Sequence, residues 1–192
     1  MEKLIADALI DLLDTFAYKD ISVRVICEVV PVSRPAFYNH FKNKNDVVRW
    51  FVKDDFMKNC FPVFQYHLKE KGVQTYFHYL KKHKNFYIRI LEYDNGLFLK
   101  DCLEYAYLNA FKYLEEFSLP VTKKKGSINP EIFMLYSVGG ISSVIVSWIR
   151  QHMEPSEEKM AADLYLMMEK PMGYVRDYYL QPENDRKGQC QT

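Results

Sequence analysis

The stretch VSRPAFYNHFKNK, residues 32–44, decides how the rest of the chain is read. It sets Phe37 and Phe41 one helical turn apart and surrounds them with Ser33, Arg34, Tyr38, Asn39, His40, Lys42 and Lys44. A helix that only fills a core has no use for so many hydrogen-bonding groups. A helix that only meets solvent has no use for two phenylalanines on one face. One side of the segment is for packing and the other is for contact.

Working outward, residues 22–40 read as two short helices joined by the tight connection Val30-Pro31-Val32, the helix-turn-helix plan. Ser22 predicts the N-cap of a helix over 23–29 whose apolar positions are Val25, Ile26 and Val29, and Ser33 that of a helix ending near Tyr38 or Asn39. Ile21 can staple onto Ile26 and Val32 onto Phe37, so both helices have the same entrance device. On the wheel of the second of these, Pro35, Ala36, Tyr38 and Asn39 fall away from Phe37 and Phe41, with Arg34 in the first turn. A major groove about 12 Å wide accepts such a helix, with first-turn side chains at base edges and flanking groups on phosphate. Charge agrees locally. Between residues 19 and 49 six cations (Lys19, Arg24, Arg34, Lys42, Lys44, Arg49) face three acids (Asp20, Glu28, Asp46), whereas the whole chain carries only +1.

The remainder bounds the function. With 192 residues, 48% of them hydrophobic, and with 15 Tyr and 13 Phe, the chain can bury a real core and is not generally disordered. Cys27, Cys60, Cys102 and Cys190 are far apart, a reduced pattern with no disulfide framework. His67, His78, His83 and His152 stand at no metal-ligand spacing and read as surface groups, so neither a metal nor a cofactor is expected. The N-terminus MEKLIADALIDLL carries acids within its apolar stripe and is no signal peptide, and the run VGGISSVIVSWI reads as too short and too serine-rich to span a bilayer. No Ser-His-Asp, Cys-His, phosphate-loop or paired-acid arrangement emerges, so the expectation is a soluble, cytoplasmic protein that is not an enzyme and has no membrane partner.

Helical periodicity continues to the end of the chain, and the fold class expected is all-α. Helices are expected near 3–17, from Asn45 towards a kink or break at Pro62, and over 73–82, 84–92, 96–117, 129–152 and 157–169. SLPVTKKKGSINP is the clearest loop and QPENDRKGQCQT a frayed tail. The division that follows is a three-helix head over 1–48, a helical regulatory and dimerisation domain over 49–180, and a tail over 181–192.

The segment ISVRVICEVVPVSRPAFYNHFKNKNDV resembles the DNA-binding part of the TetR/AcrR family of bacterial transcriptional regulators. The residues carrying the resemblance are Ser22, Ile26-Cys27, Ser33-Arg34, Phe37-Tyr38-Asn39-His40-Phe41 and the downstream Lys44. The variant FYNHFKNK, with GGISSVIVSWI later, is similar to the subgroup that includes the activator of dihydroxyacetone kinase operons. The chain departs from the family where Val30-Pro31 stands in place of the usual Ala-Gly, and where Ala36 replaces a common Thr. Proline fixes its own φ and pushes Val30 out of the helical region, which should end the preceding helix at Val29, and Pro35 could move the next cap from Ser33 to Arg34.

The resemblance implies a homodimer on double-stranded DNA, with Ser22, Arg24, Ser33, Arg34, Pro35, Ala36, Tyr38, Asn39, His40 and Lys44 at the duplex. The plain alternatives are that Tyr38 is half-buried against the next helix, that His40 is merely solvated and that Lys44 is an ordinary surface lysine. In the second domain, aromatic side chains are numerous enough to line an effector cavity, for which Phe86, Tyr87, Phe98, Tyr105 and Tyr136 are the candidates, although aromatics at helical spacing also make plain core. Gly139, Ser143 and Ser147 recur every fourth residue and allow two helix backbones to approach, with Met160, Leu164, Met167 and Met168 on the partner helix of a subunit contact; close packing within one chain is the alternative. Two readings follow: an effector-controlled homodimeric regulator binding a palindrome, or a co-regulator whose second domain docks a partner protein.

Overall fold

Ile5, Leu9, Leu12 and Leu13, with Ala6 and Ala8, put one continuous apolar face on the first helix, and all six are buried. That helix, α1, spans Glu2–Leu13 and stops short of the expected 17. A 3-10 turn over Tyr18–Asp20 follows it, and Phe16, inside the expected helix, lies half exposed. The structure, a computed structural model, describes residues 1–62, 69–117 and 129–169. The expected loop after residue 117 falls almost wholly outside the described residues, and the expected tail over 181–192 lies outside them altogether.

Both short helices form where their caps predict. α2 is Val23–Val29, with the Val25 amide donating to Ser22 Oγ at 3.3 Å, and α3 is Arg34–Tyr38, with the Ala36 amide donating to Ser33 Oγ at 3.3 Å. Pro35 therefore does not displace the cap. Val30 is extended, at φ −126° and ψ 151°, as the following proline demands. Ile21, Ile26, Val32 and Phe37 are all buried, which closes both staples into the core.

α4, Lys44–Asp55, starts slightly earlier than expected because Asn43 caps it: its Oδ1 accepts from the Asp46 amide at 3.0 Å, and Asp46 Oδ2 accepts from the Lys42 amide at 3.1 Å. A π-helical turn over Phe56–Cys60 then widens the helix just before Pro62. The proline ring lacks the N–H for the Lys58 carbonyl and would crowd it in a tight turn, so the irregularity expected at Pro62 is taken up by the residues preceding it.

Five helices complete the described residues: α5 Lys69–Lys82, α6 Lys84–Asp94, α7 Leu97–Phe117, α8 Pro130–Arg150 and α9 Glu157–Glu169. α5 runs straight through Gly72, which is why it begins earlier than the expected 73. Asn95 and Gly96, both at positive φ, turn α6 into α7, and a Cβ on Gly96 would meet Val146 Cγ1 at 2.9 Å, so only glycine fits there. There is no strand among the described residues. α9 packs on α5, α7 on α8, and α4 on both α1 and α7. A boundary at residue 48 thus cuts through α4, which belongs to the head at its start and to the body at its end.

α8 extends well beyond the apolar run VGGISSVIVSWI. The helix Glu131–Arg150 is, by length and composition alone, long and apolar enough to cross a membrane. Its second half is protein core instead, with Ile145, Val146, Trp148 and Ile149 buried.

A candidate nucleic-acid interface and the joint behind it

The local folding of residues 22–44 sorts side chains cleanly. Phe37 and Phe41 are buried, 5.9 Å apart ring to ring, while Ser33, Arg34, Pro35, Tyr38, Asn39 and His40 are exposed and Ala36 is half-buried. Tyr38 stands edge-on to Phe37 at 5.5 Å yet keeps half its surface in solvent. The capping hydroxyls of Ser22 and Ser33 accept from the helix amides and retain their own protons for a donor role. Arg24 lies along α2 with its Nε on Glu28 Oε1 at 2.7 Å, an exposed pair that any anion contact would have to share.

Lys44 is the correction at this face. Its Nζ points inward, donating to the carbonyls of Tyr18 at 2.6 Å, Ile21 at 2.7 Å and, at longer range, Lys19 at 3.4 Å, and it lies 4.3 Å from the Tyr18 ring centre. An ammonium has three protons, and three carbonyls hold them. Burial lowers its pKa from the ordinary lysine value, with Asp20 opposing. The side chain ties the start of α4 to the turn between α1 and α2, and it is not free for a phosphate.

That turn forms a joint which sequence reasoning missed. Tyr18 is fully buried, its hydroxyl donates to Asn45 Oδ1 at 2.5 Å, and its ring packs edge-on against Tyr93 at 5.1 Å and alongside Phe98 at 6.2 Å. Burial pushes the phenol far above its usual range, so it stays a neutral donor. Beside it, Arg49 in α4 donates through Nη2 and Nε to Asp101 Oδ2 of α7, at 2.7 and 3.1 Å, and lies over the Phe98 ring. Asn85 of α6 reaches Asp14 at 3.1 Å. The head is thus fastened to the α6–α7 corner of the body. The Asn43-x-x-Asp46 spacing is a local signal that could have moved the expected start of α4 from Asn45 to Lys44; nothing in the sequence marks Tyr18 as a hub, because its partners lie far along the chain.

The cavity candidates divide. Phe86 and Tyr87 are buried against one another at 5.1 Å, with Phe51 at 4.7 Å from Phe86. Phe98 is buried elsewhere, in the Tyr18 joint. Tyr105 and Tyr136 are on the surface, 44% and 71% exposed, because both point off the outer faces of their helices, so the five do not line one cavity. The subunit-contact candidates divide too. Among the described residues a Cβ on Gly139 or Gly140 would meet nothing within 4 Å, so packing among them does not explain these glycines. Ser143 is exposed and Ser147 half-buried. Leu164 is spent within the chain, buried on the face of α9 that packs on α5, and Met160 is half-buried against the same core, whereas Met167 and Met168 are open to solvent. Among the described residues no group of His, Cys, Asp or Glu could hold a metal ion.

Residues 69–170, more than half the chain, match the profile of TetR_C_8, described as a transcriptional regulator C-terminal region. A curated relative, the HTH-type dhaKLM operon transcriptional activator DhaS of Lactococcus lactis subsp. lactis (strain IL1403), is 30% identical over 95 residues; the match covers 50% of this chain and about half the length of that relative, at 51%. Among solved structures, a dihydroxyacetone kinase operon activator DhaS superposes with a TM-score of 0.56 over 87% of this chain and 94% of that one, at 22% identity, which speaks for the fold alone. A head with two serine-capped helices, an all-helical body and a body sequence that matches the family over its length lead to one conclusion: the chain belongs to the TetR-like transcriptional regulators.

Proposed function

We propose that the protein is a homodimeric regulator that reads a palindromic operator with α3 and is controlled at its helical body by an effector. The observation that carries the reading is the sorting on α3: apolar rings inward, and Ser33, Arg34, Tyr38, Asn39 and His40 outward on a locally basic head. Phosphate contacts from Ser22, Arg24, Ser33, Tyr38 and His40 would position the duplex, with Arg34 and Asn39 at base edges. The open backbone at Gly139 and Gly140, flanked by Ile132, Tyr136 and Ser143 on the exposed side of α8, supports a second copy docking there. Two heads about 34–36 Å apart would span one turn of DNA. The test is fluorescence anisotropy of the purified chain with duplexes from the region upstream of its own gene. Sequence-selective binding that steepens as salt is lowered supports the reading, and no binding to any duplex at low salt ends it.

A second reading, a co-regulator whose body docks a partner protein, is favoured by one observation. Ile132, Phe133, Leu135 and Tyr136 form an exposed apolar row at the start of α8, with Leu135 75% exposed. The relative's printed role as an operon activator is compatible with either output. Failure of duplex binding together with an intact dimer would move the function to this row.

A further inference from the structure

We propose that Lys19 and Lys42, brought together at one corner of the head, form the clamp that holds the DNA backbone, with a phosphate group of the duplex as their ligand. This rests on the reading of α3 as a groove reader and names the residues that anchor it. The head carries six cations and three acids between residues 19 and 49, and the fold matches each acid to a cation. Glu28 holds Arg24 at 2.7 Å, and Asp46 lies 3.7 Å from Arg49, which Asp101 of the body also holds at 2.7 Å. Asp20 faces the inward Lys44 ammonium. The surplus is therefore three particular residues, Lys19, Arg34 and Lys42. All three are exposed, and their side chains make no hydrogen bond or ion pair among the described residues.

Tertiary packing puts two of the three in one place. Lys44 Nζ reaches back to the carbonyls of Tyr18, Lys19 and Ile21, and the Tyr18 hydroxyl reaches forward to Asn45 Oδ1 at 2.5 Å. These links set the Lys19 turn against the start of α4, next to Lys42, although the two lysines are far apart in the chain. Their backbones are held from below: Tyr18 and Ile21 are buried on either side of Lys19, Phe41 is buried beside Lys42, and Asp46 Oδ2 accepts from the Lys42 amide at 3.1 Å. Both side chains nonetheless stay in water. Exposed Ser22 and His40 continue the same segments towards α2 and α3. An ammonium is a compact charge on a flexible stem and suits a phosphate, whereas the planar Arg34 fork suits the paired acceptors of a base edge. The clamp thus supplies affinity and register without sequence preference. It takes the role that Lys44 cannot fill, because that ammonium already has its carbonyls.

The test is fluorescence anisotropy of the full chain across a salt series, with a duplex from the region upstream of its own gene and a scrambled duplex of equal length. Lys19→Gln, Lys42→Gln and Lys112→Gln are compared with the unchanged protein. Lys112 is exposed on α7, about three turns beyond Asp101, and loses the same charge away from the head. Each phosphate neutralised contributes about 0.9 to the slope of log affinity against log salt. Lys19→Gln and Lys42→Gln should each lower that slope by about one unit per head on both duplexes. The ratio of upstream to scrambled affinity and the thermal midpoint should not change, since neither side chain reads a base or bonds within the chain's described residues. Lys112→Gln should keep the full slope. A full slope in either head variant, or a loss confined to the upstream duplex, overturns the proposal. So does an equal loss in Lys112→Gln, which would trace the effect to net charge. The two levels separate cleanly: selective duplex binding with a full slope in the head variants removes the clamp and keeps the regulator, and an unchanged protein that binds no duplex removes both.

Discussion

Replacing Lys44 by methionine separates two roles that one residue cannot fill together. Methionine keeps the unbranched apolar stem and deletes the ammonium that now holds the Tyr18 and Ile21 carbonyls at 2.6 and 2.7 Å. Hydrogen bonds from a charged donor contribute roughly 1.5–3 kcal/mol each, and these two are only partly buried, so water recovers part of the loss. The contact with the Tyr18 ring at 4.3 Å adds about 0.5 kcal/mol. The net loss is about 2–3 kcal/mol, or roughly 5–10 °C in the thermal midpoint for a chain of this size. Urea unfolding measures the first quantity. Duplex affinity against salt measures the second, because a lysine that neutralises a phosphate contributes about one unit to the slope of log affinity against log salt. We expect Lys44→Met to unfold at lower urea while the salt slope of the remaining folded protein is unchanged. Unchanged stability with a slope reduced by one unit would refute the inward strap and return Lys44 to the phosphate backbone.

Three further outcomes follow from the same structure. Arg34→Ala should weaken the operator duplex by about 1–3 kcal/mol and leave a scrambled duplex almost unaffected, as anisotropy on both would show. Gly139→Leu should leave the monomer folded and more helical, since a Cβ there meets nothing within 4 Å among the described residues and glycine costs a helix about 1 kcal/mol, while analytical ultracentrifugation shows the dimer lost; a dimer of unchanged dissociation constant would place the contact elsewhere. His83 has its pKa lowered from 6.5, first by burial and also by Lys82, with Asp55 and Asp7 opposing. The unfolded chain therefore binds the His83 proton more readily, so its contribution to stability falls as pH drops from 6.5 through the lowered folded value, and His83→Gln should flatten that slope in chemical denaturation across the window.

The sequence by itself determined what depends on neighbours a few residues apart. Ser22 and Ser33 cap because the amides they accept from are three residues on, and Val30 is extended because Pro31 is next to it. Phe37 and Phe41 face inward because a helix returns to the same side after four residues. The two capped helices, the sorting of α3 and the all-helical class were legible for that reason. Tertiary structure alone decided what depends on distant partners. Lys44 looks like a surface cation until the Tyr18 and Ile21 carbonyls, over twenty residues earlier, are brought beneath it. Tyr105 and Tyr136 carry the same aromatic hydroxyl as Tyr87, and only the packing of the body helices buries one and leaves the other two largely in water. Leu164 and Met168 share one helix of the same composition, and the face that α5 covers separates a core residue from an open one. Periodicity assigns a residue to a face, but what covers that face is set by chain segments that no local pattern encodes.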